Sequence, residues 1–345
     1  MKKWFLIVLF GVAVAAGVWM ATGLYRPFRG YTGSVVLSIQ PGAHVQAVAD
    51  ELARHGVLAH RLPFLFRYWL GRRQHETLKY GEYLFDRPLS TLDVYEKLVR
   101  GEVYLHAVLI PEGSDRFDMS RIFQREVGLS PQAFLAASRR TSLIHNLDPR
   151  APTLEGYLFP DTYRFPRGVS GARVVQTMVD RFFQVWNSQI RPQLPQGAVS
   201  IHNAITLASL VEKETPNSEE RPLIAGVFTR RLQRKMPLQC DPTIVYAIRL
   251  EKQPGDPASG PLTAGDLEID SPYNTYSQGG LPPGPICSPG LAAIAAALHP
   301  APGEALYFVS NNHGGHVFAN TLAQQNHNVA QYRRHLKAVG EPRAR

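Results

Sequence analysis

The sequence has few cysteines and lacks the motifs that mark several large classes of enzyme. Its 345 residues contain only two cysteines, Cys240 and Cys287, and neither has a second ligand at zinc spacing. H-E-x-x-H, G-x-S-x-G, S-x-x-K and G-x-x-x-x-G-K-[ST] do not occur. Zinc proteolysis, serine acyl chemistry and P-loop nucleotide hydrolysis are therefore unsupported. His313 and His316 stand three residues apart with no third ligand near them in the sequence, so we expect no metal site and no cofactor.

Charge is also missing from a long stretch near the N-terminus. No charged residue occurs from Trp4 to Tyr25, which meets the roughly 20 residues that a helix needs to cross a bilayer. Aromatic residues at both ends of this stretch suit the membrane interface. Residues 13–15 resemble a signal-peptidase site, but the apolar run continues past them, which favours an uncleaved anchor. We predict a tip at 1–3, a transmembrane anchor at 4–25 and a body outside the cytoplasm.

Acidic residues are the minority charge. The chain has 28 acidic and 37 basic residues, for a formal net charge of +9. The basic excess is spread along the chain, and no basic stripe interleaved with aromatics is present, so we expect no nucleic-acid partner. Anionic lipid headgroups or an anionic polymer fit this charge better.

The two cysteines leave two states open. In an oxidising compartment Cys240 and Cys287 could form a disulfide, and the alternative is two buried free thiols.

Hydrophobic periodicity predicts an α+β chain in two parts after the anchor. Residues 34–105 alternate strand and helix patterns and predict a small α+β module. Residues 106–340 predict a larger mixed α+β domain. Within it, 236–290 is so dense in Pro, Gly, Asn, Asp and Thr that we predict a long loop rather than regular structure. A loop of this length inside a compact domain is usually functional, and it points to a cleft.

A cluster of carboxylates follows one strongly apolar helix. "NAITLASLVEKE" is apolar on nearly every face, which predicts a buried helix that ends before Pro216. Glu212 and Glu214 are two residues apart, about 200° around that helix, so they do not share a face. The one that turns inward should have a raised pKa, because burial and the helix C-terminus both disfavour its anion. A general acid needs such a carboxyl, although most acids at helix ends are solvated or salt-bridged. Asn217 and Glu220 predict a capping box for the next helix.

Several motifs in one order closely resemble the endolytic murein transglycosylases, the MltG or YceG-like family. They are EGYLFPDTY, ASLVEKET, ERPLIAGVFTRRL, MPLQCDPTIVYA, SPYNTYSQGGLPPGPICSPG and LYFVSNNHGGHVFANTL. The resemblance implies a single-pass inner-membrane enzyme with its body in the periplasm, a LysM-like module at 34–105 and a catalytic domain at 106–340. Such enzymes cut within nascent peptidoglycan glycan strands at the MurNAc–GlcNAc β-1,4 bond and leave 1,6-anhydro-MurNAc ends. The family also implies cell-wall synthases of the elongation machinery as partners.

The resemblance also assigns roles to residues. The second glutamate of E-K-E-T falls on Glu214, which would act as general acid and then as base. No water is consumed, so no second carboxylate is required to activate one. Glu212 and Arg221 would be supporting residues, and we expect Arg221 to face Glu212 or Glu219, because a cation beside Glu214 would lower its pKa. The candidates for contact with the glycan are Glu155, Asp161, Gln239, Asp241, Thr243, Tyr273, Asn274, Thr275 and Tyr276.

Two positions depart from the family pattern. Cys240 stands where threonine often precedes D-P-T, and Gln325 stands where histidine often precedes Asn326. We expect neither side chain to touch Glu214.

Two other functions stay open at this point. One is a non-catalytic peptidoglycan-binding scaffold of cell-wall synthesis. The other is a hydrolytic muramidase that uses Glu214 with a second acid such as Asp161 or Asp241.

Overall fold

The chain folds as two compact units of helices and small antiparallel sheets. In a computed structural model, residues 2–194, 200–251 and 262–339 are described. The two units are Met1–His106 and Ala107–Arg345. The predicted mixture of helices and strands is confirmed.

The first unit begins with a long apolar helix. Helix α1 spans Lys2–Tyr25, and its 24 residues extend over about 36 Å. Within the described part of the chain, Lys3–Tyr25 is the one helical stretch long and apolar enough to cross a membrane. The helix predicted for 4–25 is therefore present, and it is compatible with a single-pass anchor.

The rest of the first unit is a two-stranded sheet covered by three helices. The elements are β1 (Val35–Ile39), α2 (Val45–Arg54), α3 (Arg61–Arg72), β2 (Gly81–Phe85) and α4 (Thr91–Arg100). Strand β1 pairs antiparallel with β2, and Val35 lies opposite Phe85. Ser90 caps α4 through a capping box with Asp93. Alternate strand residues and the inner helix faces form one core that includes Leu37.

The second unit is mainly helical, with short paired strands. The main elements are β3 (His106–Leu109), α5 (Arg116–Val127), α6 (Pro131–Ala137), β4 (Thr162–Phe165), α7 (Gly171–Val185), α8 (Ile201–Glu214), α9 (Arg221–Gln233), α10 (Asp241–Glu251), α11 (Leu291–Leu298), β5 (Tyr307–Ser310), β6 (His316–Ala319) and α12 (Leu322–Val339). Strand β3 pairs with β4, and β5 pairs antiparallel with β6. Single turns of 3₁₀ or π helix also occur at Thr141–Leu143, Trp186–Ile190, Arg191–Gln193 and Gly265–Glu268.

Helix α8 lies between two hydrophobic clusters. Its Ile205 and Ala208 belong to one cluster, whereas Leu207, Leu210 and Val211 belong to another. Because both sides of the helix meet apolar neighbours, nearly all of it before its last turn is buried. This explains why the sequence of α8 is apolar on nearly every face, and it confirms the predicted buried helix.

The predicted long loop at 236–290 is wrong in its first part. Helix α10 begins at Asp241 and buries Ile244 and Ala247. An acidic residue and a proline suit the first turn of a helix, so the residues that suggested a loop here begin α10. Residues 252–261 lie outside the described residues, and those from 262 onward are mostly turns. A strand, β4, occupies part of the aromatic segment 154–166.

Of the two cysteine states left open, the structure has free thiols. Cys240 and Cys287 are both buried and unpaired. Burial raises the pKa of both thiols well above the usual range, so neither is a ready nucleophile.

We predict that a thiol reagent labels neither cysteine of the folded chain and both after denaturation. The physical reason is that each sulfur is inaccessible and protonated at neutral pH. Intact-mass measurement of labelled protein, purified without reductant, checks this. Denatured chains that take up no label would show a disulfide instead.

Candidate active site

The candidate acid, Glu214, is the last residue of α8. Its side chain is half-buried, and dense surrounding protein removes much of the carboxyl's hydration. This desolvation raises the pKa of Glu214 from 4.5 to about 6, against the opposing effect of a hydrogen bond from the Cys240 thiol. The nearby Asp241 carboxylate raises the pKa further. At pH 7 about one-tenth of this carboxyl therefore keeps its proton, far more than an ordinary glutamate would.

Two basic side chains oppose this rise in the pKa of Glu214. The charges of His316 and Arg231 lower its pKa. Arg231, on α9, is buried, and its guanidinium donates hydrogen bonds to the carbonyls of Leu238 and Leu306 at 2.8 and 2.7 Å. These bonds keep the cation in a fixed position. The site therefore combines residues from the ends or faces of α8, α9, α10 and β6.

A tight segment before α10 places Cys240 against Glu214. Gln239 has a left-handed backbone with φ of 52°, and its N–H donates to the carbonyl of Thr275 at 3.0 Å. The N–H of Cys240 donates to the Thr275 hydroxyl at 3.0 Å. The Thr243 hydroxyl donates to the carbonyl of Cys240 at 2.7 Å. Since a left-handed non-glycine residue is unfavourable by about 1 kcal/mol, these bonds are what hold the turn.

The expectation that Cys240 does not touch Glu214 is wrong. The thiol donates a hydrogen bond to the carboxyl of Glu214. Gln325 is engaged elsewhere, with its amide donating to the carbonyl of Phe308 at 3.0 Å. The contact with Cys240 could not be read from the sequence, because 26 positions separate the two residues and only the turn at Gln239 brings them together.

Asp241 and Tyr276 form a second polar pair beside Glu214. The Tyr276 hydroxyl donates to the carboxylate of Asp241. Burial raises the pKa of Tyr276, and the bond to Asp241 raises it further, so the phenol stays protonated and remains a donor.

Glu212 is a brace rather than part of this acid site. Arg221 donates to its carboxylate at 2.9 Å, and the N–H of Gly290 donates at 3.0 Å. Of the two partners predicted for Arg221, Glu212 or Glu219, the structure shows Glu212. Nearby, the N–H of Ile286 donates to the Ser209 hydroxyl at 3.0 Å. These bonds attach the segment around residues 286–290 to α8, immediately before Glu214.

The capping box predicted for α9 is wrong. Glu220 precedes the helix, but its side chain makes no capping bond. Instead its carboxylate accepts from the N–H of His316 at 2.8 Å and lies 2.7 Å from His316 Nδ1. Burial would raise the pKa of Glu220, but the bonds from His316 outweigh it and hold the pKa below its usual range. A partner 96 residues away therefore replaces the local cap.

The predicted glycan-contact residues fall into separate groups. Residues Gln239, Asp241, Thr243, Thr275 and Tyr276 gather around Cys240, next to Glu214. The side-chain amide of Asn274 donates to the carbonyls of Leu267 and Ile269, both at 2.9 Å, and so shapes the turn that precedes Thr275.

The remaining candidates lie in other networks. Glu155 is 1% exposed and accepts from the Arg116 N–H at 3.1 Å and the Tyr246 hydroxyl at 3.0 Å. Burial raises its pKa to about 7, against the opposing charge of Arg116. Tyr273 packs on Tyr246, with ring centroids 5.1 Å apart. Asp161 pairs with Arg181 of α7 at 2.6 Å. Contact of all these residues with glycan stays a prediction.

Two residues at the site were not among the predicted site residues. Arg231 lies in FTRRL, and His316 lies in HGGHVF, both within the motifs already quoted. Motif membership was therefore an available signal, but no local spacing connects either residue to Glu214. In the described part of the chain, no group of three His, Cys, Asp or Glu side chains is arranged to hold a metal ion.

The Glu214 carboxyl, with its raised pKa at the end of a buried helix, is a candidate acid–base group, and comparison with known proteins identifies the family of this chain. The family model described as the YceG-like family matches residues 37–331. The chain is 30% identical over 318 residues to the endolytic murein transglycosylase of Bacillus subtilis (strain 168), covering 87% of this chain and 85% of that protein. It is 31% identical to the protein of the same name from Streptococcus pneumoniae serotype 2 (strain D39 / NCTC 7466), covering 86% of this chain and 58% of that protein.

A solved structure is also similar. The 2.6 Å crystal structure of a YceG-like protein from Listeria monocytogenes superposes with a TM-score of 0.57 at 29% sequence identity. The match covers 85% of this chain and 98% of the other. The chain belongs to the YceG-like family.

We predict that Glu214→Gln stabilises the fold at neutral pH. The folded-state pKa of about 6 exceeds the ordinary 4.5, so the carboxyl's contribution to stability is complete below pH 4.5 and is lost as pH rises through 6. Glutamine has no proton to lose. It should therefore gain up to about 2 kcal/mol above pH 7 and nothing below pH 4. Urea unfolding at several pH values measures this, and a pH-independent difference would contradict the raised pKa.

We predict that Cys240→Ala raises the pKa of Glu214. The thiol stabilises the ionised carboxyl, and losing a hydrogen bond to a charged group, about 1.5 kcal/mol, corresponds to about one pH unit. Carbon-13 NMR titration of the glutamate carboxyls measures the shift. Cys287→Ala is the matched control, because the Cys287 thiol donates to the carbonyl of Ser209 and should leave Glu214 unchanged.

Proposed function

We propose that this chain is a lytic transglycosylase of the MltG type that cuts within peptidoglycan glycan strands. Membership of the YceG-like family and the names of the similar proteins support this activity. The observation that carries the mechanism is the Glu214 carboxyl, desolvated to a pKa of about 6. At that value the group can both donate and accept a proton near neutral pH.

The proposed reaction needs one carboxyl. Protonated Glu214 donates to the glycosidic oxygen of the MurNAc–GlcNAc β-1,4 bond, and the bond from MurNAc C1 to that oxygen breaks. The MurNAc 6-hydroxyl then bonds to C1, and its proton passes to the Glu214 carboxylate. Glu214 ends the cycle protonated, as it began. No water is consumed, and the product end is 1,6-anhydro-MurNAc.

The neighbours of Glu214 suit both halves of this cycle. Desolvation and Asp241 favour the protonated acid that begins the reaction. The Cys240 thiol and the charges of His316 and Arg231 favour the carboxylate that exists between the two steps. Because these effects oppose each other, neither protonation state is strongly disfavoured, as a group that acts first as acid and then as base requires.

A hydrolytic muramidase is the second candidate function, and the position of Asp241 is the observation that favours it. Asp241 acts on Glu214 through its charge, so the site does contain a second carboxylate. Asp161, the other acid considered, is paired with Arg181. The two reactions differ in their products, since hydrolysis adds a water and leaves a reducing end.

We extend the proposal to location and domain roles. Helix α1 would cross the inner membrane once, with residues 1–3 in the cytoplasm and the body in the periplasm. Residues 34–105 would be a LysM-like module, which is supported by the order β1, α2, α3, β2 and the antiparallel pairing of the two strands. Glycan strands would be the substrate, and synthases of the elongation machinery would be the partners.

We predict that Glu214→Gln lowers the rate of strand cleavage by about 10²- to 10⁴-fold, because glutamine cannot donate the proton. Cleavage by the wild type should also decline as pH rises through about 6, where Glu214 loses its proton. The assay is full-length protein acting on uncrosslinked glycan strands, with products analysed by mass spectrometry. Product ends lighter by one water than reducing ends are expected.

Two control variants make this test specific. Glu219→Gln alters an exposed acid five residues away, whose backbone N–H bonds to the Asn217 side chain, and it should cleave normally. Asp241→Asn should still yield anhydro ends. Reducing ends that disappear in Asp241→Asn would establish the muramidase. Full activity of Glu214→Gln would rule out Glu214 as the acid, and a wild type that binds glycan without cleaving it would leave a binding scaffold.

A further inference from the structure

Helix α3 of the first unit carries an apolar stripe on its exposed face. Leu62, Phe66, Trp69 and Leu70 are 59%, 42%, 50% and 37% exposed. Their spacing of four, three and one residues places them on one side of the helix, opposite the buried Phe64. Large apolar side chains grouped on one exposed face mark a site of association with another surface.

This helix begins against the C-terminal end of the apolar helix α1. A Cβ atom at Gly23 would lie 2.7 Å from the Pro63 ring, so the two helices are in close contact there. The rings of Trp19 and His60 are 5.3 Å apart. The Thr91 hydroxyl donates to the carbonyl of Gly23 at 2.7 Å. The end of α1 is therefore joined to the module by packing and a hydrogen bond.

A cavity of about 440 Å³ lies at the same junction. Three basic side chains, Arg26, Arg29 and His60, line it, and none of its lining residues is acidic. Among the described residues, the guanidinium of Arg26 has no hydrogen-bond or ion-pair partner, whereas that of Arg29 contacts the Gly33 carbonyl. A cavity with cations and no carboxylate selects an anion.

The length of α1 places this cavity at a particular depth. The hydrocarbon core of a bilayer is about 30 Å thick, and α1 extends about 36 Å. If α1 spans the membrane, residues just after Tyr25 lie among the lipid headgroups. Trp19, which lines the cavity about 9 Å before that end, suits the interface between acyl chains and headgroups.

We propose that this face of the first unit docks on the surface of the membrane that α1 crosses. The Leu62–Leu70 stripe enters the interfacial region, and the phosphate of an anionic phospholipid binds in the cavity of Arg26, Arg29 and His60. The proposal depends on the membrane anchoring proposed above and is independent of the transglycosylase activity. Docking would fix the height above the bilayer at which the chain leaves the first unit.

The composition of the stripe favours lipid over glycan as the occupant. Sugars stack on flat rings, and Phe66 and Trp69 are stacked with centroids 6.2 Å apart. Two of the four stripe residues are leucines, however, which offer nothing for stacking but partition readily into a bilayer interface. Exposed Arg72 and Arg73 follow the stripe, and Arg73 lies 4.0 Å from the centroid of the Trp69 ring. Basic residues beside an apolar face are the composition of helices that lie on anionic membranes.

Depth-dependent quenching tests the stripe. The full chain carries four tryptophans, and replacing Trp4, Trp19 and Trp186 by phenylalanine leaves Trp69 as the reporter. In vesicles of phosphatidylcholine and phosphatidylglycerol with brominated acyl chains, Trp69 should lose most of its emission, with shallow bromines quenching best. Hydrogen exchange of residues 61–72 in the unaltered chain, compared between anionic and zwitterionic nanodiscs, should show protection in the anionic discs.

The cavity is tested with short-chain phosphatidylglycerol and the detergent-solubilised full chain. Two arginines near an anionic surface contribute about 1 kcal/mol each, so Arg26→Gln with Arg29→Gln should weaken binding by more than roughly tenfold. The charge-matched control is Arg139→Gln with Arg140→Gln, an exposed pair in the second unit, which should bind like the wild type. Equal loss in both double variants would show attraction by net charge alone and overturn the site.

The outcomes separate this proposal from the others. If the protein floats with vesicles while Trp69 is unquenched and residues 61–72 exchange freely, the chain is anchored but the first unit does not dock. If the protein does not float, the anchoring fails and the docking fails with it. Protection of residues 61–72 by glycan fragments instead of anionic lipid would assign the stripe to substrate. Cleavage by the same preparation reports on Glu214 separately.

Discussion

The removal of water from one carboxyl, that of Glu214, is the constraint on which the proposed chemistry depends. Helix α8 ends with this residue, and both sides of the helix are buried between hydrophobic clusters. This burial holds the C-terminal turn of α8 near the charges of Asp241, His316 and Arg231. Desolvation there raises the pKa to about 6 and makes the ionised residue unfavourable at neutral pH. Ionised Glu214 therefore lowers the stability of the fold, and the hydrophobic packing on both sides of α8 offsets that loss.

The structure gives two neighbouring glutamates different partners, although burial raises the pKa of both. Glu212 receives a guanidinium from Arg221 and a backbone N–H from Gly290, so its charge has strong partners. Glu214 receives a hydrogen bond from the thiol of Cys240, which is a weak donor. Because the two lie on different sides of α8, the same short stretch supplies a structural brace, Glu212, and the candidate acid, Glu214. The brace also attaches the segment before α11 to the end of the helix that carries the acid.

Much of the secondary structure was predictable, and the errors have physical causes. Regular periodicity identified the alternation of strands and helices in residues 34–105 and the buried helix α8, where the buried face decides the conformation. Helix α10 was missed because Asp241 and Pro242, which suit a helix start, were interpreted as loop residues. The capping role predicted for Glu220 was wrong because His316, which is distant in the chain, competes for its carboxylate. A capping pattern read from adjacent residues fails where a residue distant in the chain offers a stronger hydrogen bond than the local backbone does.

The sequence by itself determined the apolar N-terminal helix, the mixed helix and strand composition, the burial of α8 and the family motifs, because these depend on neighbours in the chain. It also singled out Glu214 as the candidate acid. Only the tertiary structure decided what surrounds that acid. Cys240, Arg231 and His316 reach Glu214 from other elements, and the cysteines remain separate thiols. The reason is that a pKa reflects all charges and atoms near a carboxyl, whatever their separation in sequence.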